Sequence, residues 1–320
     1  MPRVLITTPF PSWPLLRQTP GHRGVWGDFQ FVVNEPLERC DAWVVFEEVP
    51  EPLSTVCPPE NTLFVSAEPP ALRAYRGTFL DQFRWVLTCH DVKHRGKIAW
   101  QQGHPWHVGV DRDRDDRSTW DYDRIAADPA DQKPSLISTV ISTKEITAAH
   151  RARRRFVAML KETLGDQFDV FGRGYLGIAD KWDAVAPYRF HLVLENEQRP
   201  DYMTEKISDA FLAGAYPFYF GCPNAEQYFP GTAFTPIDIF RPQAAIETIL
   251  ADIAAERDRQ RRADVLEARR RVLNEHNFFP LIARLLSERM SSSAPRRVQL
   301  LPRRHRCRLA LRSVGRRWAA

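Results

Sequence analysis

The stretch RPDYMTEKISDAFLAGAYPFYFGCP, residues 199–223, begins with a polar segment and continues as an apolar helix followed by a strand. Ile207, Ala210 and Phe211 recur at the i, i+3, i+4 spacing of a helix with one buried face. Gly214 is placed to end that helix, because glycine readily adopts the left-handed conformation found at helix C-termini. The charged residues of the stretch therefore gather at the helix N-terminus.

Strands are predicted on both sides of this helix, RFHLVLEN at 189–196 and YPFYFG at 216–221. Similar alternation of apolar runs and polar connections extends through the chain, which predicts two α/β halves facing each other across a cleft. The other predicted strands are VLITT (4–8), FQFVV (29–33), AWVVF (42–46), TLFVS (62–66), RWVLTC (84–89), WHVGV (106–110), LISTVIS (136–142) and FDVFG (168–172). The other predicted helices are ALRAYRGTFLDQF (71–83), AAHRARRRFVAMLKETLG (148–165), IADKWDAVAPY (178–188) and much of 242–290.

The chain has 320 residues, of which 43% are hydrophobic, enough for two ordinary cores. We predict an N-terminal domain over 1–115, a charge-rich linker over 116–134, a second domain over 135–290 and a basic tail over 291–320. No apolar run is long enough to span a membrane, and the N-terminus lacks the apolar run of a signal peptide, which favours the cytoplasm. The five cysteines are scattered without a CxxC pair, so neither a zinc ribbon nor a disulfide framework is indicated.

The net charge of +5 is unevenly distributed. Residues 291–320 contain nine arginines and no acidic residue, so the first 290 residues carry a net charge of −4. The body shows no basic face with interleaved aromatics, and nucleic acid is not an expected partner. In the tail, apolar residues at helical spacing among arginines (296–318) favour a helix lying on an anionic membrane surface, with a disordered basic tail as the alternative.

The polar start of the quoted stretch has two interpretations. In the first, Asp201 caps the helix, Glu205 favours its positive end and Lys206 is solvated. In the second, the strand end at Asn196, the polar loop and the helix N-terminus form an anion site. Lys206 then supplies a charge suited to phosphate, Tyr202 and Asn196 donate hydrogen bonds, and Glu205 suits sugar hydroxyls.

The pattern LVLEN, five residues, YMTEK, five residues, LAGAYPFYFGCPN and a later FP resembles the C-terminal domain of the α-1,3-fucosyltransferases. That family has FEN, a few variable residues, YVTEK, an apolar helix, and a strand ending in a glycine turn near a proline. FTPIDIF (234–240) is similar to its next segment. The resemblance covers roughly residues 135–285 and is most specific from Glu195 to Pro230.

The resemblance implies a GT-B fold and an inverting, metal-independent transfer from a GDP-sugar, with fucose as the expected sugar. By position, Asn196, Tyr202 and Lys206 contact the diphosphate and Glu205 lies at or near the ribose. Arg153, three residues before Phe156, matches the family arginine that contacts the leaving diphosphate. The family often has serine where this chain has Glu197, and the first domain shares little with it, so the acceptor stays open. A cell-surface glycan or its lipid-linked precursor is the expected acceptor class.

Glu68, in LFVSAEPPALRAY, is the candidate catalytic base. It follows a predicted buried strand and precedes two prolines, and it matches the strand-then-glutamate of the family at its cleft. A surface acid in a loop is the alternative. Three other acids also follow strands and remain rivals: Glu47, Glu48 and Asp91.

Three short patterns favour structural interpretations. Asp111-Arg112-Asp113 resembles the DxD metal motif, but its alternating charges favour a solvated linker. His90 and His94 lack a third metal ligand, and no metal site is predicted. Gly172-Arg173-Gly174 is too short for a dinucleotide fingerprint, although a loop there could approach a guanine.

Three other functions compete with transfer of fucose. The same phosphate-binding residues would serve a different nucleotide sugar. A protein that keeps the phosphate site and lacks the base would be a non-catalytic nucleotide-sugar binder. The arginine-rich tail would also suit a nucleic-acid-binding protein.

Overall fold

The structure is a computed structural model, and it describes residues 1–114, 117–143 and 148–303. The chain divides into two compact units, each with its own sheet. Unit 1 comprises Met1–Leu16, Arg23–Gln102 and the described residues from Phe279 onward, and unit 2 comprises Arg17–His22 and the described residues of Gly103–Phe278. The division thus follows Gln102, earlier in the chain than the predicted linker.

The strands are, in chain order, β1 (Arg3–Thr7), β2 (Val25–Trp26), β3 (Phe29–Val33), β4 (Ala42–Phe46), β5 (Leu53–Cys57), β6 (Thr62–Val65), β7 (Trp85–Leu87), β8 (Lys97–Ile98), β9 (Val110–Asp111), β10 (Arg117–Ser118), β11 (Ser135–Val140), β12 (Phe168–Phe171), β13 (Tyr188–Leu194), β14 (Tyr216–Phe220), β15 (Thr235–Pro236) and β16 (Arg296–Leu300). The α-helices are α1 (Gly77–Leu80), α2 (Tyr122–Ala127), α3 (Ala148–Leu164), α4 (Glu205–Leu212), α5 (Pro242–Ala254), α6 (Arg257–Gln260), α7 (Arg262–Arg271) and α8 (Phe278–Arg289). No helix in the described residues is long and apolar enough to cross a membrane.

Unit 1 contains a seven-stranded sheet with the order β2-β3-β1-β4-β6-β7-β8. All neighbours pair in parallel except β2 and β3, which form an antiparallel edge. The central strands β4 and β6 are buried along their whole length, as expected for parallel strands covered on both faces. One core cluster centres on Phe64, whose ring packs edge-on against Tyr75 and Phe79.

Part of the predicted basic tail belongs to the fold of unit 1. The prediction that a separate tail begins at residue 291 is therefore wrong. Strand β16 pairs antiparallel with β5, with Arg296 opposite Cys57 and Leu300 opposite Leu53. The Leu300 side chain is completely buried, and Gln82 exchanges hydrogen bonds with the backbone of Leu301. The helix predicted within the tail over 307–318 lies outside the described residues.

Unit 2 contains a five-stranded sheet with the order β12-β11-β13-β14-β15, and every neighbouring pair is parallel. Helix α3 connects β11 to β12, and α4 connects β13 to β14. The carboxyl ends of all five strands therefore meet at one edge, and ligands of open α/β sheets bind at that edge. The predicted α/β class with mainly parallel sheets is confirmed in both halves.

Four predicted elements differ in the structure. The strand predicted at 106–110 is reduced to β9, because three of its N–H groups are bound by buried carboxylates: His107 and Val108 donate to Asp209, and Gly109 donates to Asp180. The predicted helix 71–83 is reduced to α1. The predicted helix 178–188 is a single 3-10 turn, Lys181–Ala184, and residues 117–127 of the predicted linker contain β10 and α2.

The buried His191 of β13 makes stability depend on pH. Its Nδ1 lies 2.8 Å from Ser138 Oγ, and burial lowers its pKa to about 3. Because the unfolded histidine has a pKa of about 6.5, the unfolded state takes up a proton first as the pH falls, and folding weakens by up to about 1.4 kcal/mol per pH unit from this group. Urea unfolding between pH 7 and pH 5 should show a smaller loss of stability in His191→Asn than in wild type. Parallel pH profiles would contradict the assignment.

Candidate functional site

Helix α4 begins immediately after Thr204, which is its N-cap. The backbone of Thr204 is extended, with φ −102° and ψ −170°, and its side chain accepts a hydrogen bond from the N–H of Lys206 at 3.4 Å. The prediction that Asp201 caps this helix is therefore wrong. The cap sits three residues later because Thr204 is the last residue with extended geometry before the helical turn.

Asp201 instead fixes the loop before the helix. Its backbone is left-handed, with φ 63°, and its N–H donates to Asn224 Oδ1 at 2.9 Å. Its Oδ1 accepts hydrogen bonds from Asn224 Nδ2 at 2.8 Å and from the Tyr228 hydroxyl at 2.5 Å. These contacts tie residues 199–204 to the segment that follows β14.

Glu195, at the end of β13, is the buried centre of the site. Its carboxylate is completely buried and accepts from the Thr204 N–H at 2.8 Å, from the Thr204 hydroxyl at 2.8–2.9 Å and from Lys206 Nζ at 3.0 Å. A buried carboxylate needs this degree of pairing, because removing a charge from water costs several kcal/mol. Glu195 thereby fixes both the helix cap and the Lys206 side chain.

Lys206 is charged and held in place. Burial favours the neutral amine, but the neighbouring Glu195 and Glu205 carboxylates outweigh it and raise the pKa of Lys206 above its ordinary value. Lys206 Nζ lies 3.7 Å from Glu205 Oε1 and also donates to Thr204 Oγ1 at 2.9 Å. About a fifth of the Lys206 side chain is exposed, so its ammonium is fixed from behind and can be approached from solvent.

Glu205 is ionised in this arrangement. Burial raises its pKa, but Lys206 and further positive groups outweigh burial and hold the pKa of Glu205 well below its ordinary range. His107 Nδ1 lies 3.5 Å from Glu205 Oε1, although burial keeps the pKa of His107 low, at about 3. An ionised carboxylate accepts hydrogen bonds from hydroxyl groups and repels phosphate.

Arg153 extends from α3 to the end of β13. It is 5% exposed, and its Nη1 donates to the Leu194 carbonyl at 3.1 Å and to Asn196 Oδ1 at 2.8 Å. Burial lowers the pKa of Arg153, and the nearby Glu195 carboxylate opposes this shift. Its Nε has no hydrogen-bond partner within the part of the chain that the structure describes. A buried guanidinium with an unused N–H is suited to an anion.

The structure thus brings Arg153, Asn196, Glu205 and Lys206 together at the carboxyl edge of the unit 2 sheet. Tyr202 lies in the same region with only 1% of its surface exposed, and its ring packs edge-on against His104 at 6.4 Å between centroids. Behind them, Asp209 of α4 is completely buried and contacts Lys181 Nζ at 2.6 Å.

Two carboxylates at this edge were missed from the sequence, Glu195 and Asp209. A sequence signal existed only for Glu195, which directly continues the apolar run of β13; Asp209 lies off the apolar face formed by Ile207, Ala210 and Phe211.

Gly221, which follows β14, is required by the site. A Cβ at this position would lie 2.3 Å from Tyr219 Oη and 2.6 Å from Glu195 Cγ. We expect Gly221→Ala to lower the free energy of unfolding by about 1–3 kcal/mol through overpacking and, by displacing Glu195, to weaken binding of GDP, the ligand that the family resemblance implies. Gly231→Ala is the matched control, because its nearest neighbour would be 3.8 Å away. Equal thermal unfolding and equal binding in the two variants would contradict this role.

The segment containing Glu68 lies in unit 1, after β6. Its backbone is fixed on both sides: the Glu68 N–H donates to Glu47 Oε2 at 3.2 Å, and the Glu68 carbonyl lies 2.8 Å from His90 Nε2. The Glu68 side chain is half-buried, and its carboxylate makes no ion pair with the described residues. A carboxylate on a fixed backbone and without an ion-pair partner can serve as a proton acceptor.

The rival acids are less suited to that role. Asp91 is 97% exposed and 3.8 Å from Lys97, and Glu48 pairs with Arg303 Nε at 3.3 Å. Glu47 is 2% exposed and is paired with Arg73.

The remaining sequence patterns have structural contacts. Asp111 Oδ1 accepts the backbone N–H of Asp113 at 3.0 Å, and His94 Nδ1 accepts the N–H of Gly96 at 3.0 Å. Within the described residues there is no group of three or more His, Cys, Asp or Glu side chains that could hold a metal ion. Gly172 and Gly174 both have positive φ and lie against residues 141–143 at the end of β11.

Part of the chain is similar to proteins of one known family. Residues 130–263 match the model of the C-terminal domain of glycosyltransferase family 10 (fucosyltransferase). The α-(1,3)-fucosyltransferase 4 of Bos taurus is 32% identical over 149 residues, covering 42% of this chain and 37% of that protein. The α-(1,3)-fucosyltransferase 7 of Bos taurus is 37% identical over 121 residues, covering 36% of this chain and 34% of that protein. The chain thus spans little more than a third of the length of these relatives.

The fold is similar over nearly the whole chain to a solved structure. A crystal structure of an α1,3-fucosyltransferase with GDP-fucose aligns with a TM-score of 0.52 at 16% identity and covers 92% of each chain. The same enzyme class solved with GDP aligns with a TM-score of 0.50. At this identity the likeness establishes the fold alone, and it agrees with the GT-B-like fold class predicted from the sequence. Residues 130–263 of this chain are thus similar to the C-terminal domain of glycosyltransferase family 10 (fucosyltransferase).

Proposed function

We propose that this chain is an inverting, metal-independent glycosyltransferase that moves fucose from GDP-fucose onto a hydroxyl group of a cell-surface glycan or its lipid-linked precursor. One observation carries the proposal: Lys206, Arg153 and the N-terminus of α4 converge at the carboxyl edge of a sheet whose sequence is similar to family 10. The similarity to a structure solved with GDP-fucose supports that donor.

The chemistry of transfer explains why cations are needed there. The acceptor oxygen forms a bond to the anomeric carbon while the bond from that carbon to the diphosphate oxygen breaks, and the electron pair leaves with GDP. Negative charge accumulates on the diphosphate as the sugar becomes cationic. Lys206 stays charged through the neutral range because its pKa is raised, and Arg153 is fixed by Asn196, so both meet the developing charge without reorganising.

The other donor-site residues take complementary roles. Asn196 has its side-chain oxygen occupied by Arg153, which directs its amide N–H groups to the ligand. Glu205 accepts hydrogen bonds from ribose hydroxyls, for which an ionised carboxylate is suited. Tyr202 supports the diphosphate end of the site from its buried position between the cap loop and His104.

Glu68 is the proposed catalytic base. Its carboxylate takes the proton from the acceptor hydroxyl as that oxygen attacks, so the proton ends on Glu68 and the negative charge ends on GDP. No metal ion is needed in this scheme, since the two fixed cations and the helix N-terminus stabilise the leaving diphosphate.

Titration calorimetry in the presence of EDTA tests the donor assignment. We expect GDP and GDP-fucose to bind, and UDP-sugars to bind at least tenfold more weakly. Tight binding of a different nucleotide sugar would replace fucose as the transferred sugar. Binding without GDP release would identify a non-catalytic nucleotide-sugar binder, and absence of any nucleotide binding would overturn the proposal.

We also propose a cytoplasmic protein that associates with an anionic membrane surface through the arginines near its C-terminus. Because β16 is part of unit 1, the test deletes residues 304–320 and keeps Arg303 and everything before it. Wild type should sediment with phosphatidylserine vesicles and the truncated chain should not, while GDP release in solution is unchanged. Equal sedimentation would contradict membrane association, and loss of GDP release would favour a role for the tail in the reaction or in nucleic-acid binding.

A further inference from the structure

We propose that Glu47 is a positioning residue for Glu68: its buried carboxylate holds the loop that carries the proposed base. This inference rests on the proposed function, because it concerns how that base is presented. The observations that support it are independent of the donor site, and all of them lie within unit 1.

The Glu47 carboxylate binds the start of the Glu68 loop directly. Its Oε2 accepts hydrogen bonds from the Ala67 N–H at 2.8 Å, the Glu68 N–H at 3.2 Å and the Tyr75 hydroxyl at 2.7 Å. Its Oε1 forms an ion pair with Arg73 Nη1. Two successive backbone N–H groups pointing at one oxygen determine the orientation of the peptide that precedes the Glu68 side chain.

Glu47 cannot easily serve as the base itself. It is 2% exposed, its Oε2 accepts three hydrogen bonds, and its Oε1 is ion-paired with Arg73. Burial raises the pKa of Glu47, and Tyr75 and Arg73 oppose that shift. A carboxylate this buried can affect the reaction only through the groups that it binds, which are the backbone of Ala67 and Glu68 and the side chains of Tyr75 and Arg73.

The backbone at Glu47 is in an unusual conformation. Its φ is 73°, in the left-handed region that a glutamate rarely adopts and that costs of the order of a kcal/mol or more. The strand register holds it there, because the Glu47 N–H donates to the Val65 carbonyl at 2.8 Å. This turn directs the carboxylate across to the end of β6 instead of outward.

His90 completes the support from the other side. Its Nε2 contacts the Glu68 carbonyl at 2.8 Å, and its ring packs edge-on against Tyr75 at 4.9 Å between centroids. Tyr75 therefore contacts both the carboxylate that holds the Glu68 N–H and the imidazole that holds the Glu68 carbonyl. His90, which the sequence placed in a metal-like pair, has a structural role in this loop.

The test is a double-mutant cycle that combines Glu47→Gln with Glu68→Gln and measures GDP release from GDP-fucose. Glu47→Gln keeps the size of the side chain and one acceptor oxygen but loses the ion pair with Arg73. We expect kcat to fall about 10- to 100-fold through misplacement of the base, with KM for the donor within twofold of wild type. In the Glu68→Gln background the same change should have no further effect on kcat.

Glu51→Gln is the matched control, since Glu51 is an exposed glutamate four residues after Glu47; its kcat should equal that of wild type. Should Glu47→Gln fail to fold, Tyr75→Phe removes a single hydrogen bond to the same oxygen and should lower kcat several-fold at unchanged KM. Equal losses from Glu47→Gln in the presence and absence of the Glu68 carboxylate would overturn the proposal. So would full activity of Glu47→Gln or Tyr75→Phe beside an inactive Glu68→Gln. An active Glu68→Gln would overturn this proposal together with the assignment of Glu68 as the base, and only a wild type that releases no GDP would overturn the proposed function as well.

Discussion

Replacing Lys206 with alanine is expected to lower kcat/KM for GDP-fucose by about 100-fold or more. In the proposed mechanism the change removes a fixed positive charge from the position where the leaving diphosphate develops negative charge, and losing one such group typically costs about 10²–10³ in rate. The loss should be largely in kcat, because the charge on the diphosphate grows in the transition state. Steady-state GDP release over a range of donor concentrations measures both parameters.

Lys206→Ala also leaves the buried Glu195 without its cation, so stability must be separated from catalysis. Breaking a buried pair from one side can cost about 3–5 kcal/mol. The double variant Glu195→Gln, Lys206→Met removes both charges and should recover most of the lost thermal stability while activity stays low. Arg155→Ala is the surface control, because Arg155 is an exposed cation on the same helix as Arg153. Recovery of activity in the double variant would contradict a direct role for Lys206.

Glu68→Gln is expected to lower kcat about 10²- to 10⁴-fold while the Kd for GDP-fucose changes by less than twofold. General bases contribute rate factors of this size, and glutamine keeps the shape and the backbone contacts of Glu68 while losing the proton acceptor. Calorimetry gives the Kd, and GDP release gives kcat. The matched control is Asp91→Asn, which removes a carboxylate that is 97% exposed.

Lys206→Ala and Glu68→Gln separate the two parts of the proposed reaction, departure of GDP and activation of the acceptor hydroxyl. The Lys206 change should affect departure of GDP, whereas the Glu68 change should affect only activation of the acceptor. An unchanged kcat in Glu68→Gln would remove Glu68 from the mechanism and direct attention to the other acids of unit 1. A large loss of donor affinity in the same variant would show that Glu68 acts on the donor instead of the acceptor.

Much of the fold could be predicted because its parallel strands are continuous apolar runs. AWVVF at 42–46 and FQFVV at 29–33 coincide with β4 and β3, and helix α4 and strand β14 lie where the quoted stretch predicts them. The strand predicted at 106–110 is longer than the observed β9 because of contacts with residues distant in sequence. Its N–H groups are bound by Asp209 and Asp180, residues 71–102 positions away, and no local pattern reports that contact.

The structure brings Arg153 to Asn196 and Glu205 to Lys206, and the donor-binding roles that the sequence suggested for these four residues stay proposals. The contacts that hold them in place could not be predicted. The sequence did not indicate that the Glu195 carboxylate binds Lys206 Nζ. It also did not indicate that Thr204, and not Asp201, is the N-cap of α4. Both depend on which side chains the strand end and the helix start bring within 3 Å, and that is a property of the packed fold.

In the predicted tail, a strand was overlooked in the sequence. Composition assigned residues 291–320 to one basic segment, yet 296–300 form a strand that pairs with β5. Val298 and Leu300 alternate with polar residues in RRVQL, and this period-two pattern was available in the sequence. The arginine count obscured it, because Arg296 and Arg297 are exposed on a strand whose Leu300 is buried.

The most direct test of the whole account is to incubate the purified chain with GDP-fucose and EDTA and to follow the anomeric carbon by NMR. The account predicts release of GDP without added metal, and a first product, formed with water or an added glycan, whose anomeric configuration is inverted relative to the donor. Turnover only after addition of a divalent cation, a product with retained configuration, or no interaction with GDP-fucose would contradict it.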